Sequence, residues 1–99
     1  MSLRLALRPR ALGDLDEIWS FTEDRWGRAQ AVSYLGGLDG VFTLLAQYPD
    51  MARLRVEFTP PLRLHPYRRH LILYRNEADV LEIIRVLHNR TDWQALLAD

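Results

Sequence analysis

Leu3, Leu5 and Leu7 alternate with Arg4, Ala6 and Arg8, and that period of two predicts a half-buried first strand. Pro9 then suits the first turn of a helix, where its missing N–H leaves nothing unpaired. Leu12, Leu15, Ile18, Trp19, Thr22 and Trp26 follow at helical spacing, and Gly27 is a natural stop. Asp14, Asp16 and Glu17 fall toward the N-terminal end of this segment, where a helix dipole favours negative charge. A second helix is expected from Arg28 to Tyr48. Val32, Leu35, Leu38, Phe42 and Leu45 form its stripe, Ala31, Tyr34, Val41 and Leu44 broaden it, and Pro49 ends it. Gly36, Gly37 and Gly40 interrupt the pattern, each costing about 1 kcal/mol relative to alanine. They either admit the first helix closely or kink the segment.

After residue 50 the period returns to two. Leu54, Val56 and Phe58 alternate with Arg53, Arg55 and Glu57 until Pro60-Pro61. Leu62 to His65 reads as a short strand ending at Pro66, and Arg69 to Arg75 as a stronger one. Asn76 to Asp79 is a polar turn. Val80 to His88 carries apolar residues on both faces, the pattern of a central strand. Thr91 followed by Gln94 is a capping-box pattern for a last helix, Asp92 to Leu97. The whole reads as a single domain over residues 1–99 with an α+β fold. An N-terminal strand and a helical hairpin pack on a mainly antiparallel sheet of about four strands, followed by a short C-terminal helix. In this arrangement Trp26 and Tyr34 are expected in the core, whereas Trp19 or Phe21, lying off the stripe, would serve as binding anchors.

Composition narrows the chemistry. Hydrophobic residues make up 48% and charged residues 26%, a globular rather than a disordered balance. The absence of cysteine excludes disulfides, thiolate metal sites and cysteine nucleophiles. The three histidines lack ligand spacing with carboxylates, so no metal site is expected. No glycine loop for phosphates is present and no cofactor is implied. No segment approaches the roughly 20 apolar residues of a membrane span. Met1 to Arg10 has no apolar run of signal-peptide length, so a cytoplasmic location is expected.

The formal net charge is zero, yet Arg53, Arg55, Arg63, Arg68, Arg69 and Arg75 crowd one segment against Glu57. Such separation suits an acidic partner, though arginines also rim strands to keep them soluble. Lysine is absent, which removes Schiff-base chemistry and leaves guanidinium groups that bind carboxylates bidentately.

Several pieces in order resemble ParE toxins of the RelE/ParE toxin–antitoxin superfamily. They are Asp14-Leu15 with Ile18-Trp19; Trp26-Gly27 with Gln30-Ala31 and Tyr34-Leu35; Leu44-Leu45-Ala46 before Pro49; Leu62-Arg63; and His70-Leu71-Ile72 with Tyr74-Arg75. The most specific is Arg85-Val86-Leu87-His88 with Arg90 and Asp92. The resemblance spans nearly the whole chain. It implies the family fold, a ParD-like antitoxin whose tail wraps the toxin, and DNA gyrase as the target, trapped with its DNA.

The same superfamily includes ribosome-dependent mRNA endonucleases, the RelE branch, whose groups must move protons and stabilise a phosphorane. In that branch an arginine commonly stands three residues before the strand tyrosine that corresponds to Tyr74; here that position is Leu71. The tail there commonly ends in Tyr or His-Tyr; here Trp93 stands nearby, and indole transfers no proton. No catalytic residue is therefore assigned, and the chain is read as a binding inhibitor rather than an enzyme. His65, His70, His88, Arg63 and Arg85 leave a nuclease constellation as the alternative. Arg63, Arg68, Arg69, Arg75, His88, Arg90 and Trp93 are the candidates for antitoxin or target contact. Arg85 and Asp92 are assigned structural roles, Arg85 in an ion pair with Glu82 or an acid of the first helix. His88 would bond Asp92 or a backbone carbonyl.

Overall fold

The computed structural model describes residues 2–92 and Ala95. Strand β1 (Arg4–Leu7) leads into α1 (Pro9–Trp26) and α2 (Arg28–Gln47), followed by β2 (Leu54–Arg55), β3 (Leu62–Tyr67), β4 (His70–Glu77) and β5 (Val80–His88). Arg8 is extended at the N-cap of α1 with Pro9 at the first helical position, as the sequence implies. Gly27 ends α1 and starts α2. Its N–H donates to the Glu23 carbonyl at 2.9 Å, and its own carbonyl accepts from Ala31 at 3.2 Å. Its φ of 93° lies where side-chain-bearing residues rarely go, which is why one residue suffices to reverse the chain.

The strands form one sheet in the order β1-β5-β4-β3-β2. The β1–β5 pair is parallel and the other pairs are antiparallel. The hairpin covers one face. Ala11 and Ile18 of α1 and Leu38, Phe42 and Leu45 of α2 pack on Ile72, Tyr74, Leu81, Ile83 and Val86. On the opposite face, Leu62, Leu73, Ile84 and Leu87 gather with Phe58, Leu64 and Leu71. The two apolar faces of β5 thus each have a cluster. They coexist because the β4–β5 register slips between Leu73 and Tyr74, passing over Ile84. Ile83 and Val86 both join the helix-facing cluster, which an unbroken alternation would forbid.

Several expectations are corrected. The strand expected over Leu54 to Phe58 shortens to Leu54–Arg55, because β3 pairs with it only at Leu62 and Arg63. Strand β3 continues through Pro66, paired with Leu71, to Tyr67. Pro66 lies beyond the reach of β2, toward an open edge where a missing N–H breaks no ladder bond. The three glycines of α2 lie within one continuous helix and do not admit α1. Gly37 makes room for the Tyr67 hydroxyl from β3, while Gly36 and Gly40 face open space. Asp14 is past the first turn of α1, which contains no acid, so the helix dipole does not explain it. Trp26, expected in the core, is 62% exposed, and Tyr34 is half-buried at the core's margin. Asp92 rather than Thr91 marks the last turn, its carboxylate accepting the Ala95 N–H at 3.3 Å. The remainder of the expected helix to Leu97, together with Trp93 and Gln94, lies outside the described residues.

Candidate docking groove

A groove of about 880 Å³ runs between the hairpin and the end of the sheet. Its apolar wall is Ile18, Phe21 and Trp26 of α1. Phe21 is 60% exposed, like Trp26 beside it, and the Arg25 guanidinium lies 5.5 Å from the Phe21 ring centre. The opposite wall begins with Arg68 and Arg69, the two-residue turn joining β3 to β4, and continues with His70 and His88. Arg68 is held at a φ of 53° and lies over the Tyr67 ring at 5.6 Å.

One face of an ion pair closes the floor. Asp14 receives Arg85 Nε and Nη2, both at 2.8 Å, and its Oδ2 also accepts the Val86 backbone N–H at 2.9 Å. Strand β1 pairs with β5 only as far as Leu7 and Ile83. Asp14 therefore takes over the free edge of β5 where the strand leaves it. Hydrogen bonding by Asp14 raises the Arg85 pKa, so this guanidinium is fixed as a cation, with its Nε and Nη2 already engaged.

Above the floor, aromatic and imidazole rings follow one another. Tyr67 and Tyr34 meet edge-on at 5.3 Å, Tyr34 and His70 at 5.5 Å, and His70 and His88 at 5.5 Å. The Tyr34 hydroxyl is 2.6 Å from His70 Nδ1. His88 Nδ1 accepts the Arg90 backbone N–H at 3.1 Å. Burial, and secondarily the neighbouring His88 ring, holds the His70 pKa below its usual value, and burial raises that of Tyr34. The chemistry this wall offers is anion recognition by neutral N–H donors and guanidinium groups, next to an apolar surface. Among the described residues no cluster of acids and histidines could hold a metal.

The profile of the ParE toxin of type II toxin–antitoxin systems, parDE, matches residues 5–93. The chain belongs to the ParE toxin family. It is 38% identical over 93 residues to Toxin ParE1 of Mycobacterium tuberculosis, covering 93% of this chain and 95% of that one. It is 36% identical over 91 residues to Toxin ParE1 of Caulobacter vibrioides, covering 92% and 94%. A chain of the chromosomal ParDE system from P. aeruginosa superposes with a TM-score of 0.76 at 18% identity, covering 88% of this chain and 96% of that one, a likeness of fold.

Within this ParE-type fold the candidate residues separate. Arg68, Arg69 and His88 come together in the groove. Arg63 does not: it turns inward to Asp50 at 3.0 Å and the Ala52 carbonyl at 2.6 Å. Arg75 is held by Glu82 at 3.2 Å and Glu77 at 3.7 Å. Neither guanidinium is thus left free for the contact expected of it, because neighbouring acids draw each onto the sheet. Arg90 is exposed outside the groove lining. Arg85 pairs with Asp14 rather than Glu82. His88 bonds the Arg90 amide rather than Asp92. His65, half-buried on β3, and Arg63 are not part of the constellation, whereas His70 and Tyr34 are. His70 is a site candidate in the sequence only within the nuclease alternative, and its pairing there is hidden: counting back from the β4–β5 turn pairs it with Leu87, and only the slip at Ile84 sets it opposite His88. Leu71, the residue in place of the nuclease arginine, belongs to the apolar cluster on the opposite face.

Proposed function

We propose that this ParE-family toxin arrests growth by binding DNA gyrase and trapping it with its DNA, without turnover of its own, and that a ParD-like antitoxin neutralises it in the cytoplasm. The observation that carries the antitoxin half is the groove. Exposed Phe21 and Trp26 on one wall and Arg68 and Arg69 on the other match an amphipathic segment with apolar and acidic side chains. Among the described residues neither Arg68 nor Arg69 has an ion-pair partner, so a partner's carboxylate displaces none. The gyrase half is supported by family membership and by an arginine, Arg85, that Asp14 holds. Purified protein mixed with gyrase and supercoiled plasmid should accumulate cleaved, protein-linked DNA, and a ParD-type antitoxin should abolish it. Trp26→Ala combined with Arg69→Glu should weaken that protection at least tenfold. Unaltered gyrase cycling would remove the proposed target.

The Tyr34–His70–His88 cluster favours one second reading, RNA cleavage of the RelE kind, because three titratable rings and three guanidinium groups line one groove. The groove is far larger than a phosphate, and Arg85 is turned to Asp14 through Nε and Nη2. Loss of ribosome-bound message cleavage on His88→Ala would support that reading.

A further inference from the structure

The His70–His88 pair is more specific than a basic patch, because the Arg90 amide fixes where the His88 ring proton sits and the Tyr34 hydroxyl meets His70 Nδ1. A backbone N–H can only donate, so the Arg90 amide makes His88 Nδ1 an acceptor and puts the ring proton on Nε2. The Tyr34 phenol, kept protonated by burial, is assigned as donor to His70 Nδ1, which likewise puts that ring's proton on Nε2. Two imidazole N–H donors on register-paired residues therefore have no protein acceptor among the described residues, and both rings line the groove beside Arg68 and Arg69.

We propose that this end of the groove is an oxyanion seat, in which His70 and His88 take a carboxylate of the docked antitoxin segment and His70 gains a proton as it does so. The proposal rests on the docking reading above. His70 is the ring able to gain the proton. The Tyr34 hydroxyl can reverse from donor to acceptor when Nδ1 is protonated, whereas the Arg90 amide on His88 cannot. A bound carboxylate favours the imidazolium and offsets the burial that disfavours it.

The surroundings of the pair set the sign and select the ligand. From α1, Asp14 and Glu17 face the groove; Asp14 favours a charged His70 but is already shared with Arg85 of β5. From α2 and β3 come Tyr34 and Tyr67, from the turn the cations Arg68 and Arg69, and from β5 His88, which with burial disfavours a positive charge on His70 until an anion arrives. Acid at one end and base at the other suits a peptide that places one carboxylate beside the histidines. A nucleic-acid strand would carry a phosphate past Glu17.

The test uses 4-phenylbutyrate, an aromatic body with a carboxylate, and its amide as the uncharged control, followed by NMR of the histidine rings and of Phe21 and Trp26. The acid should raise the His70 pKa by about one unit and bind up to about tenfold tighter at pH 6 than at pH 8. The amide should show neither effect, and His70→Gln should make binding of the acid independent of pH. Tyr34→Phe should weaken the His70 response while leaving the Phe21 and Trp26 shifts in place. Equal, pH-independent binding of acid and amide overturns the seat and leaves apolar docking intact. If neither compound moves the Phe21 or Trp26 signals, the docking reading falls with it. A single-stranded oligonucleotide that raises the His70 pKa when the carboxylate does not would assign the seat to phosphate and overturn the proposal.

Discussion

Asp14 concentrates three hydrogen bonds on one buried carboxylate, 7% exposed, and joins the first helix to the last strand. Removing it strands both the Arg85 guanidinium and the Val86 N–H. Asp14→Ala should therefore cost about 3 kcal/mol in urea unfolding, the lower end for a broken buried pair, because Arg85 keeps 19% side-chain exposure. Replacing both partners with leucine should recover most of that loss, and a single-site cost near zero would contradict this role. His70 gives a second prediction at this scale. Its pKa is lowered by burial and then by His88, so the unfolded chain takes up a proton at a higher pH than the folded one. Stability is complete above the unfolded value, near about 6.5, and declines as pH falls toward the folded value. His70→Gln should reduce the loss of urea midpoint between pH 7.5 and 5.5, and an undiminished loss would mean other groups cause it. The Arg85–Asp14 pair was legible in the sequence only as a need: an arginine in an apolar strand demands a partner. The choice of Asp14 depends on β1 stopping at Leu7, which no local pattern announces.

The three glycines of α2 separate into two kinds. Gly36 and Gly40 have open space where a Cβ would go, so Gly36→Ala and Gly40→Ala should each stabilise the protein by up to about 1 kcal/mol through helix propensity alone. At Gly37 the Cβ would collide with the Tyr67 hydroxyl, and Gly37→Ala should instead cost about 1–3 kcal/mol as Tyr67 is displaced from Tyr34. Thermal unfolding of the three variants checks this, and a stabilised Gly37→Ala would refute the contact. Both helices and strand β5 were legible because their apolar residues recur over many turns or pairs, and Pro9, Gly27 and Pro49 mark boundaries strongly. Strand β2 was not, because alternation in Leu54, Val56 and Phe58 persists where no neighbouring strand exists to bond it. The wall position of Trp26 was missed for a related reason. It continues the α1 spacing to the last helical residue, beyond where the sheet reaches to cover it.

Across the whole molecule, the arginine-rich segment from Arg53 to Arg75 is less of a field than its composition implies. Arg55, Arg63 and Arg75 are each paired with a carboxylate, and the adjacent pair Arg68 and Arg69 lines the groove beside Phe21, Trp26 and the histidines. Charge, exposed aromatic surface and free N–H donors thus converge on one place, the arrangement that the proposed docking of a partner requires. No helix among the described residues is long and apolar enough to cross a membrane. The most direct measurement is a brief induction of the toxin without its antitoxin, with chromosome integrity and ribosome-bound transcripts followed in the same culture. The account predicts broken chromosomes with gyrase covalently attached to the ends, while transcripts stay whole. Intact chromosomes, with messages cut within the ribosomal A site, would contradict it.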